Sequence, residues 1–550
     1  IASWCGISGL NYLLNSDRTL YINDVELSGD IVIPDSVSTI PAGAFNGCDL
    51  ITSITLPDSV TEIGSSAFNG CTSIESITIP DTVTEIGVFA FYRCASLKSI
   101  TIPDSVTSIC ESAFEGCTSL TSITIPDSII EIGNYAFKNC TSLTNITIPD
   151  NVTYIGLGAF QGCTSLESII IPFVGNGGNN TLFGSIFGAL TYSNNNNYVT
   201  KTLNTVIITG GNAIKNYAFY GCASIENIVI PDSVTEIGWH AFSDCTSLKS
   251  VTIPDSVTEI GDSAFNDCDS LKSVTIPDSV AEIGEYAFGS CDSLESVTIP
   301  DSVTKIGISA FGSCPIVTAT IPATAINYIP QDTLHTVVIT SGSSIDDRAF
   351  IYCYSLTSIT IPDSITSIGA WAFQACDSLT SNYYQGDIAS WCGISGLNHL
   401  MGSGRTLYIN GVELLGELVI PDGITSIHAG AFDGCALITS VALPDSVTSI
   451  GDWAFAECVS LESITIHDGV IEIGWHAFYG CTSLESVTIP DSVTSIGMSA
   501  FAGCTSLESI TIPFVGDGDD YTHFGYIFGA FSHSNNSTEV PKTLKNVIIT

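Results

Sequence analysis

The sequence predicts a repeat solenoid: coils of 23 residues stacked so that one parallel β-sheet and short helical or 3₁₀ turns build an elongated or arc-shaped body. Three observations carry this. Phe45, Phe68, Phe91, Phe114, Phe137 and Phe160 lie 23 residues apart, each with Ala before it and Cys three residues after, and the pattern holds in seventeen copies. Within each copy, apolar and hydroxyl residues alternate before a Pro, the signature of a strand with one buried face. Finally, a single unit has too many inward apolar groups to enclose by itself, so neighbours must complete its core.

The unit Ser99–Thr121, SITIPDSVTSICESAFEGCTSLT, shows each element in order. Ile100 and Ile102 alternate with Ser99 and Thr101 as a strand. Pro103 ends the strand because it has no N–H for a sheet ladder, and Asp104-Ser105 turns the chain. Val106 and Ile109 then point inward from a second short extended or turn-like segment. Most copies place Gly after that Ile, as at Gly64 and Gly87, where a tight bend favours a residue tolerating positive φ. Ala113, Phe114, Cys117 and Leu120 follow at spacings that suit a short helix or 3₁₀ turn. Strands of successive coils pair in parallel about 4.8 Å apart, so some twenty coils would extend on the order of 100 Å.

These units resemble the BspA-like, or treponemal-type, leucine-rich repeats. The resemblance rests on Leu97-Lys-Ser-Ile-Thr-Ile-Pro103, on Val83-Thr-Glu-Ile-Gly87 and on Ala90-Phe-Tyr-Arg-Cys94, and it covers most of the chain. It implies a surface-exposed or secreted protein tied to adhesion, located at the cell surface or outside the cell.

A larger duplication overlies the rhythm. Cys5 and Cys392 are 387 residues apart, as are Cys48 and Cys435, whereas Pro172-Phe-Val-Gly175 recurs 341 residues later at Pro513–Gly516. The difference of 46 is two repeats, so the second copy is two coils shorter. The expected organisation is a partial Trp-Cys hairpin module at 1–30, repeats at 31–172, a Gly/Asn/Phe insertion at 173–202 and repeats at 203–381. A full Trp-Cys module at 382–417, repeats at 418–513, a second insertion at 514–543 and a truncated repeat at 544–550 complete it. Asn410-Gly411 between alternating residues predicts a tight hairpin, with Asn23-Asp24 as its weaker counterpart. The chain starts inside a motif and stops abruptly at Thr550, so a leader and an anchor are expected to lie outside this stretch.

Composition narrows the partners. With 56 acidic against 13 basic residues the formal charge is -43. That excludes nucleic acid, whose binding needs clustered Lys and Arg, and anionic membrane surfaces. It favours cations or basic partners. No apolar run long enough to span a membrane occurs. The expected partner is a protein or a cell-surface ligand.

Chemistry-bearing motifs are scarce. No His-Glu-x-x-His, Gly-x-Ser-x-Gly or phosphate-loop pattern occurs, so no enzyme and no resident cofactor are expected. Seventeen of the twenty cysteines share one repeat position, which predicts a reduced, inward-facing file poorly angled for disulfides. His240 and His476 share the motif Ile-Gly-Trp-His-Ala-Phe, in a slot that Ser66 and Tyr135 fill elsewhere, so a tolerant surface position is expected. The Asp after each strand-ending Pro, including Asp104, Asp127, Asp255 and Asp278, is expected to cap its own turn. The alternative is a carboxylate file that collects Ca²⁺, and Asp517-Gly-Asp519-Asp520 gives a second, weaker calcium hint. Candidates for a binding face are the outward pairs Ser122 and Thr124, Ser250 and Thr252, Ser273 and Thr275. Phe183, Phe187, Phe524 and Phe528 join them from the insertions, where packing on adjacent coils is the competing reading. The leading expectation is a non-enzymatic interaction or adhesion protein. A calcium-stabilised spacer and an ice-binding hydroxyl array are the alternatives.

Overall fold

The computed structural model describes residues 1–7, 10, 20–516 and 523–550. It divides into two compact units, Ile1–Glu295 with Ser302–Cys314, and Ser296–Asp301 with Pro315–Thr550. Each is a stack of parallel coils, and the repeat solenoid expected from the spacing is the architecture observed.

In the first unit the strands Gly29–Val32, Ile51–Thr55, Ser76–Thr78, Ser99–Thr101 and Ser122–Thr124 pair in parallel in that order. The run Asn145–Thr147, Ser168–Ile171, Thr205–Ile208, Asn227–Val229 and Ser250–Val251 does the same. Register is one repeat per coil, so Ser76 faces Ser99 and Ser99 faces Ser122. A second, narrower parallel ladder runs through the Ile before each Gly, as in Ala213–Ile214, Glu236–Ile237, Glu259–Ile260, Glu282–Ile283 and Lys305–Ile306. The second unit repeats both ladders, for example Gly416–Val419, Ile438–Ala442, Ser463–Thr465, Ser486–Thr488, Ser509–Ile512 and Asn546–Ile549.

The Ala-Phe-x-x-Cys segment forms successive tight turns rather than continuous helix. Cys117 N–H donates to Phe114 O at 3.3 Å and Leu120 N–H to Cys117 O at 3.1 Å. Positive φ at Ser112 and Gly116 stops these turns from propagating. The same segment bonds across coils, Phe114 N–H to Ala136 O at 2.8 Å, which adds a third tie to the two ladders there.

The core lies between these ladders. The repeat Phe rings are fully buried and stack in a file: Phe91–Phe114 and Phe114–Phe137 are each 5.5 Å apart and nearly coplanar. Beside them most repeat thiols donate to the carbonyl of the Phe in the preceding coil, as Cys94 Sγ to Phe68 O at 3.2 Å, whereas Cys353 donates to Gln331 Oε1 at 3.2 Å. Every cysteine is free, consistent with the reduced file. Burial pushes the thiols of Cys117, Cys163 and Cys245 up to about 12.

The glycine after the second-strand Ile has a different cause from the expected bend. Gly64 and Gly87 are not in the left-handed region. A Cβ on Gly87 would instead lie 2.5 Å from Ser65 N in the coil beneath. Close approach of backbones selects Gly here. Positive φ falls two residues later, on Ser66, Phe89, Ser112 and Tyr135, none of them glycine.

The Trp-Cys module forms the hairpin expected. Thr406–Ile409 runs antiparallel to Val412–Glu413, with Asn410 and Gly411 both at positive φ. Tyr21–Ile22 and Val25–Glu26 pair likewise, across Asn23 and Asp24 at positive φ. Trp391 is buried with its ring 5.2 Å from that of Tyr384, its indole N–H donating to Ala431 O at 2.8 Å.

Candidate functional site

Alternation along each strand decides which side chains reach solvent. In Ser122–Thr124 the middle Ile123 is buried while both flanking hydroxyls are exposed. Ser250, Thr252, Ser273 and Thr275 are exposed in the same way. None of these six hydroxyls makes a side-chain hydrogen bond to the described residues, so their donors and acceptors face outward. Register multiplies them: Ser53, Ser76, Ser99 and Ser122 form one file, and Thr55, Thr78, Thr101 and Thr124 a second. At the foot of the strands, ion pairs link successive coils, Lys98 to Glu75 at 2.8 Å and Lys249 to Glu226 at 2.6 Å. These pairs are largely exposed and contribute little stability.

The Asp row behaves differently from its expected role. Asp104, Asp127, Asp255 and Asp278 are exposed, and their carboxylates accept no hydrogen bond from the described residues. The turn is closed by backbone, Val106 N–H to Pro103 O at 3.1 Å. The Ser after the Asp then reaches the preceding coil, as Ser256 Oγ to Val234 O and Ser279 Oγ to Val257 O, both at 2.6 Å. Beside an interruption members of this row do accept, Asp150 from the hydroxyl of Thr209 at 2.5 Å and Asp301 from that of Thr340 at 2.6 Å. Among the described residues no group of three or more His, Cys, Asp or Glu could hold a metal ion. Asp517, Asp519 and Asp520 lie outside the described residues.

The insertion phenylalanines are a correction. Phe183 and Phe187 sit on a 3₁₀ turn, Phe183–Phe187, and both are fully buried. They carry the aromatic file across the interruption: Phe187 lies 6.3 Å from Phe160, and Phe183 lies 4.8 Å from Phe219. In the second insertion Phe528 is buried and Phe524 half-buried, in T-shaped contact at 5.3 Å. Phe183, Phe187 and Phe528 belong to the core because the longer coil still has to fill the space a repeat Phe fills elsewhere, while Phe524 keeps part of its ring at the surface.

Sequence reasoning missed an aromatic row at the positive-φ slot. His240 stacks on Tyr217 at 5.0 Å, and Tyr217 on Tyr192 at 4.3 Å. In the second unit His476 stacks on Trp453 at 4.2 Å with the rings 3° apart. Burial lowers the His476 imidazole below the usual histidine range. The neighbouring Trp239 and Trp475 are more than half exposed. The detectable signal was that one repeat slot carries Phe89, Tyr135, Tyr217, Tyr286, Trp371 and Trp453 in different coils.

Among the described residues no helix is long and apolar enough to cross a membrane. A profile of the BspA type leucine rich repeat region matches in six copies over residues 21–103, 84–202, 212–339, 331–391 and 410–521. Among solved structures, the chain is similar to a leucine-rich repeat protein from Bacteroides ovatus at 26% identity, covering 91% of this chain and 92% of that one with a TM-score of 0.30. A leucine rich cell surface protein from Faecalibacterium prausnitzii is 29% identical over 66% of this chain and 90% of its own, TM-score 0.25. A leucine rich repeat protein of T. pallidum is 24% identical over 42% of this chain and 87% of its own, TM-score 0.24. No curated protein matches the chain.

Proposed function

The chain belongs to the BspA-type leucine-rich repeat family, and from that premise we propose that it is a non-enzymatic surface or secreted protein that binds a protein or cell-surface ligand in adhesion. The observation that supports this reading is the outward file of Ser and Thr hydroxyls, held in register by the parallel ladder, in which Ser122, Thr124, Ser250, Thr252, Ser273 and Thr275 make no side-chain hydrogen bond among the described residues. A rigid array of this kind loses little side-chain entropy on binding, because short hydroxyl side chains have few rotamers to surrender. The formal charge of -43 favours a basic partner and an association that weakens as salt rises.

The test is binding of the purified chain to immobilised fibronectin, laminin and collagen and to whole epithelial cells, at low and high salt. A comparison variant carries Ser122→Arg, Thr124→Arg, Ser250→Arg and Thr252→Arg. Saturable, salt-sensitive binding that this variant loses while its melting curve is unchanged supports the proposal. Absence of binding to every surface, or full binding by the variant, overturns it.

A further inference from the structure

The first insertion borders a groove of about 420 Å³, which opens between the insertion and the coil that precedes it. Its walls include Gln161, Thr164, Asn197, Tyr198, Thr200 and Thr202. The volume falls in the range of small-molecule sites, roughly 300–1,000 Å³. Gly188 brings the two sides together, for a Cβ there would lie 3.2 Å from both Gln161 Cδ and Tyr198 Cδ1.

The lining is chemically unusual for this chain. The protein has 56 acidic residues, yet no carboxylate lines the groove. The one charged residue in its wall, Lys201, has its ammonium bound to the backbone and side-chain oxygens of Asn196, each at 2.5 Å. Tyr198 is 39% exposed. The side-chain amides of Gln161 and Asn197 have no hydrogen-bond partner among the described residues and offer both donors and acceptors. One accessible aromatic ring, two unused amides and threonine hydroxyls, with no carboxylate and with the single ammonium tied to Asn196, suit an uncharged polyhydroxylated ring. The ring's apolar C–H face packs on tyrosine, and its hydroxyls exchange hydrogen bonds with the amides.

We propose that this groove binds a neutral pyranose unit of a glycan. The inference goes beyond the hydroxyl face and stands independently of it. The duplicated module supplies an internal contrast: with the constant offset of 341, Gln161 becomes Ala502, Asn197 becomes Thr538 and Tyr198 becomes Glu539. Gly529, the counterpart of Gly188, has Ser499 and Ala502 as its neighbours instead. The backbone frame is kept while the ring and both amides are gone, so one site per chain is expected.

The experiment is saturation-transfer NMR followed by calorimetry on the whole chain. The probes are cellotetraose, mannotetraose and chitotetraose, with sialyllactose and a heparin tetrasaccharide as anionic comparators. At least one neutral probe is expected to bind with a stoichiometry of one, and Tyr198→Ala is expected to weaken it by about tenfold or more while Tyr198→Phe retains it. Gln161→Ala and Asn197→Ala, each with an unchanged melting curve, should weaken the same probe and decide the matter should Tyr198→Ala fold poorly. Failure of all neutral probes to bind at about 10 mM, the weak limit of a useful site, overturns the proposal. Undiminished binding by the variants, or tighter binding of the anionic comparators, also overturns it.

Discussion

Gly87→Ala isolates the reason glycine recurs after the second-strand isoleucine. The added Cβ would sit 2.5 Å from Ser65 N, 2.7 Å from Gly64 C and 2.9 Å from Ser65 Cα. Against an ordinary carbon separation of about 3.5 Å the shortfall is near 1 Å. Every contact is backbone, so no side chain can rotate away. The two coils must part where Gly87 N–H donates to Ile63 O at 2.8 Å. Overpacking of this kind costs about 1–3 kcal/mol. The unfolded chain returns only ~0.4–1 kcal/mol, because alanine has less conformational freedom to lose. Gly70→Asn is the matched comparison. Gly70 has φ +75 but its Cβ would meet nothing closer than 3.6 Å, and Asn139 holds the corresponding slot three coils on, at φ 60. That change should cost within about 0.5 kcal/mol. Urea denaturation followed by circular dichroism measures both, and hydrogen exchange should localise the Gly87→Ala loosening to the backbone around Ile63–Gly87. If Gly70→Asn proves as costly as Gly87→Ala, bend geometry rather than close approach selects these glycines and the reasoning fails.

Three further outcomes are expected. Phe114→Ala removes a fully buried ring stacked on two neighbours and should cost about 3–5 kcal/mol; because contacts in a solenoid are nearest-neighbour, exchange protection should fall in the flanking coils first, and a uniform loss across the unit would contradict this. Native thiols should resist alkylation at about pH 8 except at half-buried Cys110. The raised thiols also set a pH dependence: the folded chain keeps protons that the unfolded chain releases, so stability is full below 9 and falls as pH climbs towards about 12, measurable by urea midpoints. Asp433, pushed up to about 7 by burial and then by Glu457 against the pull of Arg405, is stabilising when protonated. Its contribution is complete below 3.8 and lost as pH rises through about 7. Asp433→Asn should therefore raise stability at about pH 8 by roughly 1–3 kcal/mol and flatten the acid-side slope, and an unchanged slope would refute the assignment.

The coil itself was legible because its determinants are local and periodic. Strand alternation, the terminating Pro and the Ala-Phe-x-x-Cys spacing each act within one repeat, and Asn410-Gly411 specifies its hairpin from two residues alone. What escaped depends on the neighbouring coil. The cause of Gly87 lies in Ser65, and the partner of the Cys94 thiol is a carbonyl 26 residues earlier. The Asp row illustrates the same limit. A turn considered alone needs a cap, whereas in the stack the adjacent Ser bonds the coil beneath and leaves the carboxylate free. The outward hydroxyls were legible as a face because alternation defines them, but the insertion phenylalanines were not, since a broken rhythm does not say which rings refill the core.

The two insertions show how such a stack acquires local chemistry. A coil in phase with its neighbours must present the same slots to both, which constrains whatever it displays. Where the chain departs between Pro172 and Thr205, the strand register is nonetheless restored, Ser168 facing Thr205 and Ile171 facing Ile208. Phe183 and Phe187 keep the core continuous through the detour. With both ladder and core preserved, the exposed residues 196–198, unlike buried Asn195 and Val199, carry no packing duty in common with other coils. They can diverge at little cost to the stack, as the change from Tyr198 in one copy to Glu539 in the other demonstrates. Recognition specific to this chain is therefore expected at the departures from the repeat, with the hydroxyl face providing the extended and less selective contact.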